Sequence, residues 1–325
     1  MVKSRFKFAL VWLLFVAPTV VDAAIALPLP WQQGQTVRYQ SSSVQEKVRA
    51  GQRERTETRE ISVLEIVEAN EKGFLQVWRS ESPSVTVGGD GDDIAGKRDV
   101  AQQLTKRFAS LSLQAELDAQ GSYTGIRNWQ ELGAALREVM LPFMVRQARA
   151  RPELAKADEA TLRGSITPVL QRMTTQAAVN STLGKQVAIY NFFTAPKLTP
   201  GKPVSYRDTM PSPWSADILP TTGSFELSGV DEKAGTVSIR WRQSIDPVKG
   251  AAVVRKMVEA ITGAAPPRQA AGSLPKGLVL SDQATVVLDR KSGLPLSLLH
   301  RREVALGDSS SVTTWTLTKL ENSSP

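Results

Sequence analysis

The chain has 325 residues, no cysteine, one histidine and a net charge of +8. This length can bury a large core, while the cysteine and histidine counts exclude disulfides and metal sites built from several thiolates or histidines. The positive charge favours anionic partners such as lipid headgroups, lipopolysaccharide or other acidic polymers, although a modest charge also serves solubility alone.

Residues 1–26 are typical of a secretory signal peptide. A basic head precedes an apolar run over residues 8–17, which Pro18 ends, and small residues permit cleavage after Ala23 or Ala26. The run is shorter than the roughly 20 residues that span a bilayer, so we expect cleavage rather than an uncleaved anchor. We therefore expect a periplasmic or secreted bacterial protein with no integral membrane segment after cleavage.

Residues 27–127 are expected to form a first unit of antiparallel strands. Val37 and Tyr39 alternate with polar neighbours, as in a half-buried strand. The segment 53–69 is long, rich in β-branched residues and charged, and its later part is more apolar. We expect a flexible loop over 87–97, VGGDGDDIAGK, because it is rich in glycine and aspartate.

One sequence pattern occurs twice in the chain. LQAELDAQGSYTGI at 113–126 and ATVVLDRKSGLPLSLL at 284–299 each run from apolar residues through Leu-Asp to a polar turn that ends in glycine. Aspartate at the start of a turn bonds the local backbone and glycine supplies a positive φ, so each stretch predicts a β-hairpin. GQTVRYQ at 34–40 likewise matches GKPVSYR at 201–207. We predict a duplicated β unit, with chance similarity among β-rich segments as the alternative.

Residues 128–194 have the period of helices. Asn128 with Glu131 three residues later predicts a capping box at the start of a helix. Pro142 is expected to kink or end that helix, and a second helix is expected to follow Asp158.

Residues 195–325 are expected to form a second β unit with an internal helix. Asp246–Pro247 predicts the start of that helix, and a loop rich in proline and glycine is expected over 264–277. Strands and helices in separate blocks favour the α+β class. We expect a large curved antiparallel sheet or unclosed β-barrel covered by amphipathic helices, because a helix must bury its apolar stripe.

No signature of catalysis stands out in the sequence. His300 lies between an apolar run and two arginines, which favours a solvated strand end over a catalytic base. Ser273 and Lys276 fit the Ser-x-x-Lys motif of penicillin-binding enzymes, but Pro275 opposes the helix that this motif requires. The acidic stretch at 88–93 lacks the spacing of a calcium loop. A glycoside hydrolase with two catalytic carboxylates stays an open alternative, because the sequence does not give the distance between two carboxylates in space.

We therefore expect no enzyme, no cofactor and no metal site. No patch of basic and aromatic residues resembles a nucleic-acid-binding module, so we expect no nucleic acid partner.

A curved sheet beneath amphipathic helices can enclose an apolar cavity. Large, soft apolar side chains on the helical cover and on the sheet are candidates for its lining, with ordinary core packing as the alternative for each. These candidates are Met140, Phe143, Met144, Phe192 and Phe193 on the cover, and Trp78 and Trp241 on the sheet.

Over about residues 30–320 the chain resembles the periplasmic lipoprotein carriers of the localisation factor A and B type. The resemblance rests on the signal peptide, the cysteine-free mature chain, the GQTVRYQ stretch leading into a long strand, and the LDxxG-type hairpin. It implies an unclosed β-barrel with helices as a lid and acyl chains bound inside.

Two functions are consistent with these features. The first is a non-catalytic periplasmic binding protein whose partner is a lipid, a lipoprotein or another hydrophobic ligand. The alternative is a structural or assembly protein of the cell envelope that binds another envelope component through its strand edges or basic helices.

Overall fold

The structure is a computed structural model that describes residues 25, 27–90, 93–194, 198–213, 218–262, 274–275 and 277–321. The predicted signal peptide lies almost entirely outside these residues, as does most of the loop predicted over 264–277. No helix in the described ranges is long and apolar enough to cross a membrane.

The described residues form one antiparallel sheet of eleven strands, together with six α-helices and one short 3₁₀ helix. The strands are β1 (Thr36–Arg49), β2 (Gln52–Asn70), β3 (Gly73–Gly89), β4 (Leu113–Leu117), β5 (Tyr123–Ile126), β6 (Val204–Pro211), β7 (Ile218–Asp231), β8 (Thr236–Ile245), β9 (Val279–Asp289), β10 (Pro295–Leu306) and β11 (Ser309–Lys319). The helices are α1 (Ile94–Ala109), α2 (Trp129–Arg149), α3 (Glu159–Met173), α4 (Gln176–Thr182), α5 (Lys185–Asn191), the 3₁₀ helix Phe192–Thr194 and α6 (Gly250–Thr262).

The strand order is β5-β4-β3-β2-β1-β11-β10-β9-β8-β7-β6, with β5 and β6 at the two open edges. This confirms the predicted α+β class and the large curved sheet that does not close into a barrel. The two β units are therefore halves of one sheet, joined where β1 pairs with β11. In each unit a helix follows the third strand, α1 after β3 and α6 after β8. Their common origin stays a prediction.

Both predicted hairpins are present, with the expected turn chemistry. The Asp118 carboxylate accepts hydrogen bonds from the backbone N–H groups of Gln120 and Ser122 between β4 and β5. The Asp289 carboxylate accepts from the N–H and hydroxyl of Ser292 between β9 and β10. The glycine that ends each turn has a positive φ, 81° in the first and 73° in the second. These bonds lower the pKa of the Asp289 carboxyl, with the Ser292 hydroxyl as the largest cause.

The first predicted helix begins where expected but not with the expected cap. The Asn128 side chain accepts from the backbone N–H of Gln114 and donates to Glu131, so it ties the helix start to β4 rather than capping the helix itself. Pro142 lies inside α2 and does not end it, since the helix continues to Arg149. Packing of the later turns of α2 against α3 offsets the hydrogen bond that proline removes.

Aspartate governs the start of two further helices in different ways. The Asp158 carboxylate accepts from the Thr161 N–H and so caps α3, the helix that was predicted to follow Asp158. Asp246 instead forms a turn, because its carboxylate accepts from Lys249 and its carbonyl accepts from Gly250. Helix α6 therefore begins at Gly250, later than the Asp246–Pro247 start that we predicted.

The prediction of a flexible loop over 87–97 is wrong for the residues of this range that the structure describes. Residues at its start belong to β3 and Ile94 already begins α1, whose N-cap Asp93 accepts from the Gly96 N–H. Val100 is the only buried residue of this polar helix. The helical period was therefore too weak in the sequence to predict α1.

The main core lies between the sheet and α5 with its 3₁₀ extension, on the side that we call the inner face. Tyr190 of α5 is fully buried there, and its ring packs against those of Trp31, Tyr39, Trp78 and Phe193 at centroid distances of 4.8–6.3 Å. Its hydroxyl lies 2.6 Å from that of Tyr39. Tyr190 thus joins the helical segment to both the aromatic core and a strand of the sheet.

We expect Tyr190→Ala to lower the free energy of unfolding by about 3–5 kcal/mol, because it leaves a cavity at the centre of the core. Tyr190→Phe should lower it by about 1 kcal/mol through loss of the bond to Tyr39. Tyr123→Phe is the control, because its buried hydroxyl has no hydrogen-bond partner among the described residues. Urea unfolding of the three variants measures these differences, and a loss in Tyr123→Phe as large as in Tyr190→Phe would contradict the assignment.

Candidate functional site

A band of polar side chains crosses the inner face of the sheet. Gln243, Asp282, Arg302, Thr313 and Gln45 lie opposite one another on the neighbouring strands β8, β9, β10, β11 and β1. Side chains two residues apart on a strand share a face, so this row continues the inward-facing positions of all five strands. We call it the polar band.

Apolar side chains border the central part of the polar band on both sides. Trp241, Ala284 and Trp315 lie in the adjacent row together with His300, and these three apolar residues form the edge of the main core. On the other side, a second apolar cluster that includes Leu280 packs beneath α6. Along β8, β9 and β10 the inner face therefore changes from apolar to polar and back to apolar.

Asp282 is the centre of the polar band. One carboxylate oxygen accepts from Lys185 Nζ at 3.0 Å and lies 2.9 Å from His300 Nε2, and the other accepts from Arg302 at 2.8 Å. Lys185 belongs to α5, so the ion pair also fastens that helix to the sheet. The Trp241 ring stacks on His300 at 6.4 Å. A buried carboxylate needs several hydrogen-bonding partners, and side chains from two elements, α5 and β10, supply them here.

Helix α5 is fastened to the sheet at two further polar points. The side-chain amides of Asn191 and Gln76 bond each other reciprocally at 3.1 Å, and Trp78 Nε1 donates to Gln76. The second point is the pair of hydroxyls on Tyr190 and Tyr39. These bonds hold the inner side of α5 at a defined position over the sheet.

A cleft of about 830 Å³ lies between α4–α5 and the polar band. Its apolar walls come from the helices, from the end of β6 and from the row of the sheet that contains Trp241 and Trp315. These wall residues include Ile189, Phe192, Met210, Trp241 and Trp315. Lys185, Asp282, His300 and Arg302 line the same cleft, so one space offers an aromatic wall and a charged floor.

A smaller cleft of about 240 Å³ adjoins the first. Leu183, Gln186 and Trp315 line both spaces. Trp78 and Leu113 add apolar surface to the smaller cleft. The two spaces therefore meet beside the start of α5.

The seven residues that the sequence predicted to line one apolar cavity lie in different parts of the structure. Phe192 and Trp241 line the large cleft, and their rings lie 5.5 Å apart. Trp78 lines the small cleft, and Phe193 is buried in the main core. The remaining three, Met140, Phe143 and Met144, lie on α2, where the two methionines pack in the core that α2 forms with α3.

The prediction that His300 is a solvated strand end is wrong. His300 lies in the middle of β10, is only 4% exposed and bonds Asp282. A signal for it existed in the sequence. The inward positions of β9 and β10 are otherwise apolar, and Asp282, His300 and Arg302 interrupt them. Lys185 carried no such signal, since only the docking of α5 brings it to the band.

The described residues contain no group of three histidine, cysteine, aspartate or glutamate side chains that could hold a metal ion. The arrangement suits non-covalent binding. The aromatic wall can pack against an apolar ligand, and the floor offers N–H donors from Lys185 and Arg302.

No protein-family model matches the chain, and no curated protein matches it in sequence. A structure of lipovitellin that describes lipid–protein interactions aligns with a TM-score of 0.45 and 9% identity, over 90% of this chain and only 26% of that chain. An outer membrane channel from Pseudomonas putida F1 aligns with a TM-score of 0.21 and 7% identity, over 94% and 100% of the two chains.

The complex of MucB with MucA(peri) aligns with a TM-score of 0.13 and 11% identity, over 87% of this chain and 88% of that one. TM-scores this low carry no argument about function for any of the three. The sheet and covering helices agree with the fold that the carrier resemblance implied, and membership of that family stays a prediction.

We expect the four tyrosines of the chain to stay protonated well above pH 10 in the folded protein. Burial raises the pKa of Tyr123 and Tyr206 to about 12, and raises those of Tyr39 and Tyr190 further. In the unfolded chain all four ionise near their ordinary pKa of about 10.

The folded state therefore holds more protons between these values, so its stability is complete below about pH 10 and falls as the pH rises through about 12. Tyrosinate absorbance and far-ultraviolet circular dichroism, recorded together against pH, measure both changes. A tyrosine that ionises near pH 10 while the fold persists would contradict the burial described above.

Proposed function

We propose that the chain is a non-catalytic binding protein for a lipid-like or other hydrophobic ligand, acting in the periplasm or after secretion. The observation that carries this proposal is the cleft of about 830 Å³ between α4–α5 and the inner face of the sheet. Ligand pockets in proteins commonly enclose about 300–1,000 Å³ and are lined mainly by apolar and aromatic side chains. The cleft fits this range in size and in its walls.

The aromatic wall supports an apolar ligand in particular. Phe192 packs against Phe225 at 5.8 Å and against Trp241 at 5.5 Å, and Trp241 Nε1 donates to the Tyr206 hydroxyl at 2.5 Å. Rings held on several sides present a fixed apolar surface, so a ligand that packs against them orders few side chains. Displacing water from this surface would supply most of the affinity.

The envelope-assembly alternative is supported by a different feature. Strand β6 is an edge strand that pairs only with β7 in the described sheet, and most of its residues are exposed. An edge strand can pair with an extended segment of another chain. This function would leave the cleft without a ligand.

Filling the cleft tests the proposal directly. Ala188 of α5 lines the cleft, so Ala188→Phe places a ring in the space that the ligand needs. We expect this variant to bind N-phenyl-1-naphthylamine, a neutral apolar probe, about tenfold more weakly than the unchanged protein, measured by the rise in probe fluorescence. Less lipid should also co-purify with Ala188→Phe than with the unchanged protein, as measured by native mass spectrometry.

Ala134→Phe is the matched control, since it adds the same ring to an exposed position of α2. It should leave probe affinity unchanged. Equal affinity in both variants, or no probe binding to the unchanged protein, would refute ligand binding in this cleft.

A further inference from the structure

We infer that the ligand of this cleft carries an anionic head group, a phosphate or carboxylate, and that Lys185 and Arg302 bind it. The inference rests on the proposed function, and it adds the chemical class of the ligand's polar end. The polar band would hold the head group while the aromatic wall holds the apolar part.

The charges that line the cleft are unequal. Among the described lining residues Lys185 and Arg302 are cations, and Asp282 is the single carboxylate. Two cations against one carboxylate leave the floor of the cleft with one positive charge in excess. A bound anion would balance this charge, whereas a cationic head group would add to it.

Exposure decides which of these charges a ligand meets. The Asp282 side chain is only 2% exposed, whereas Lys185 is 29% exposed and Arg302 is 21% exposed. The carboxylate therefore lies beneath the two cations, against the sheet. A ligand that enters the cleft encounters the cations and not the acid that they share.

Both cations retain donors after bonding Asp282. Lys185 has three N–H groups and bonds the two carboxylate oxygens of Asp282 at 3.0 and 3.3 Å, which leaves at least one N–H group for a ligand. Arg302 has five N–H groups, of which one donates to Asp282 within the described part of the chain. The guanidinium can thus bond Asp282 with one edge and an incoming phosphate or carboxylate with another. Burial also lowers the pKa of Arg302, and a neighbouring anion would offset the hydration that this group has lost.

Three probes, dodecyl phosphate, dodecanol and inorganic phosphate, distinguish the contribution of the head group to affinity from that of the tail in the full chain. We expect dodecyl phosphate to bind about tenfold more tightly than dodecanol, because a hydrogen bond between charged groups is stronger than one between neutral groups. Inorganic phosphate alone should bind far more weakly than dodecyl phosphate. Isothermal titration measures all three, and the preference for dodecyl phosphate should shrink as salt is added.

Two variants and a matched control assign the preference to residues. Arg302→Gln and Lys185→Gln should each reduce it severalfold while dodecanol affinity changes little. Arg301→Gln removes the same charge one position along β10, where the side chain is exposed and pairs with Glu303, so it should keep the full preference. If circular dichroism shows that Arg302→Gln does not fold, Lys185→Gln carries the test, because the Lys185 side chain is partly exposed.

Each outcome decides between the two claims. Equal binding of dodecyl phosphate and dodecanol would overturn the anionic head group and leave the proposed function standing. No binding of either amphiphile would overturn the proposed function itself. Inorganic phosphate binding as tightly as dodecyl phosphate would show an anion site without a lipid role. A preference lost equally in Arg301→Gln would refute the role of Lys185 and Arg302.

Discussion

The docking of α5 on the inner face of the sheet is the contact on which the core and the cleft both depend. Tyr190 fills the centre of the aromatic core, and Asn191 and Lys185 bond the sheet on either side of it. A helix of seven residues has little stability of its own, so these tertiary contacts hold it in place. Because both ends of α5 are fastened to the sheet, the space beside the helix keeps a defined shape.

The polar band explains why that space is not filled by core. A carboxylate and two cations are costly to bury, and apolar side chains cannot pack across them without leaving polar atoms unpaired. The main core ends at the row of Trp241 and Trp315, and the cluster beneath α6 begins on the other side of the band. The band therefore divides the inner face and leaves a cleft whose floor differs chemically from its walls.

Local patterns in the sequence predicted much of the fold. The hairpins at Asp118 and Asp289 depend on neighbours within a few residues, and so does the start of α3 at Asp158. The sheet-and-helix class followed from the alternation of apolar residues and from the separate blocks of strands and helices. Helix α1 was missed because it buries little, and Pro142 was misjudged because packing against α3 outweighs its local effect.

By itself, the sequence determined the hairpin turns, the antiparallel strands and the presence of amphipathic helices, because each follows from residues close together in the chain. The candidate site was decided only by tertiary structure. Lys185 and Asp282 are 97 residues apart, and the register of five strands together with the docking of α5 brings them within 3.0 Å. Folding places Asp282 beneath Lys185 and Arg302 on the floor of the cleft, whereas the sequence showed only that Asp282, His300 and Arg302 interrupt the apolar positions of two strands. Contacts between residues far apart in the chain decide how these polar side chains are paired, and a local pattern does not specify such contacts.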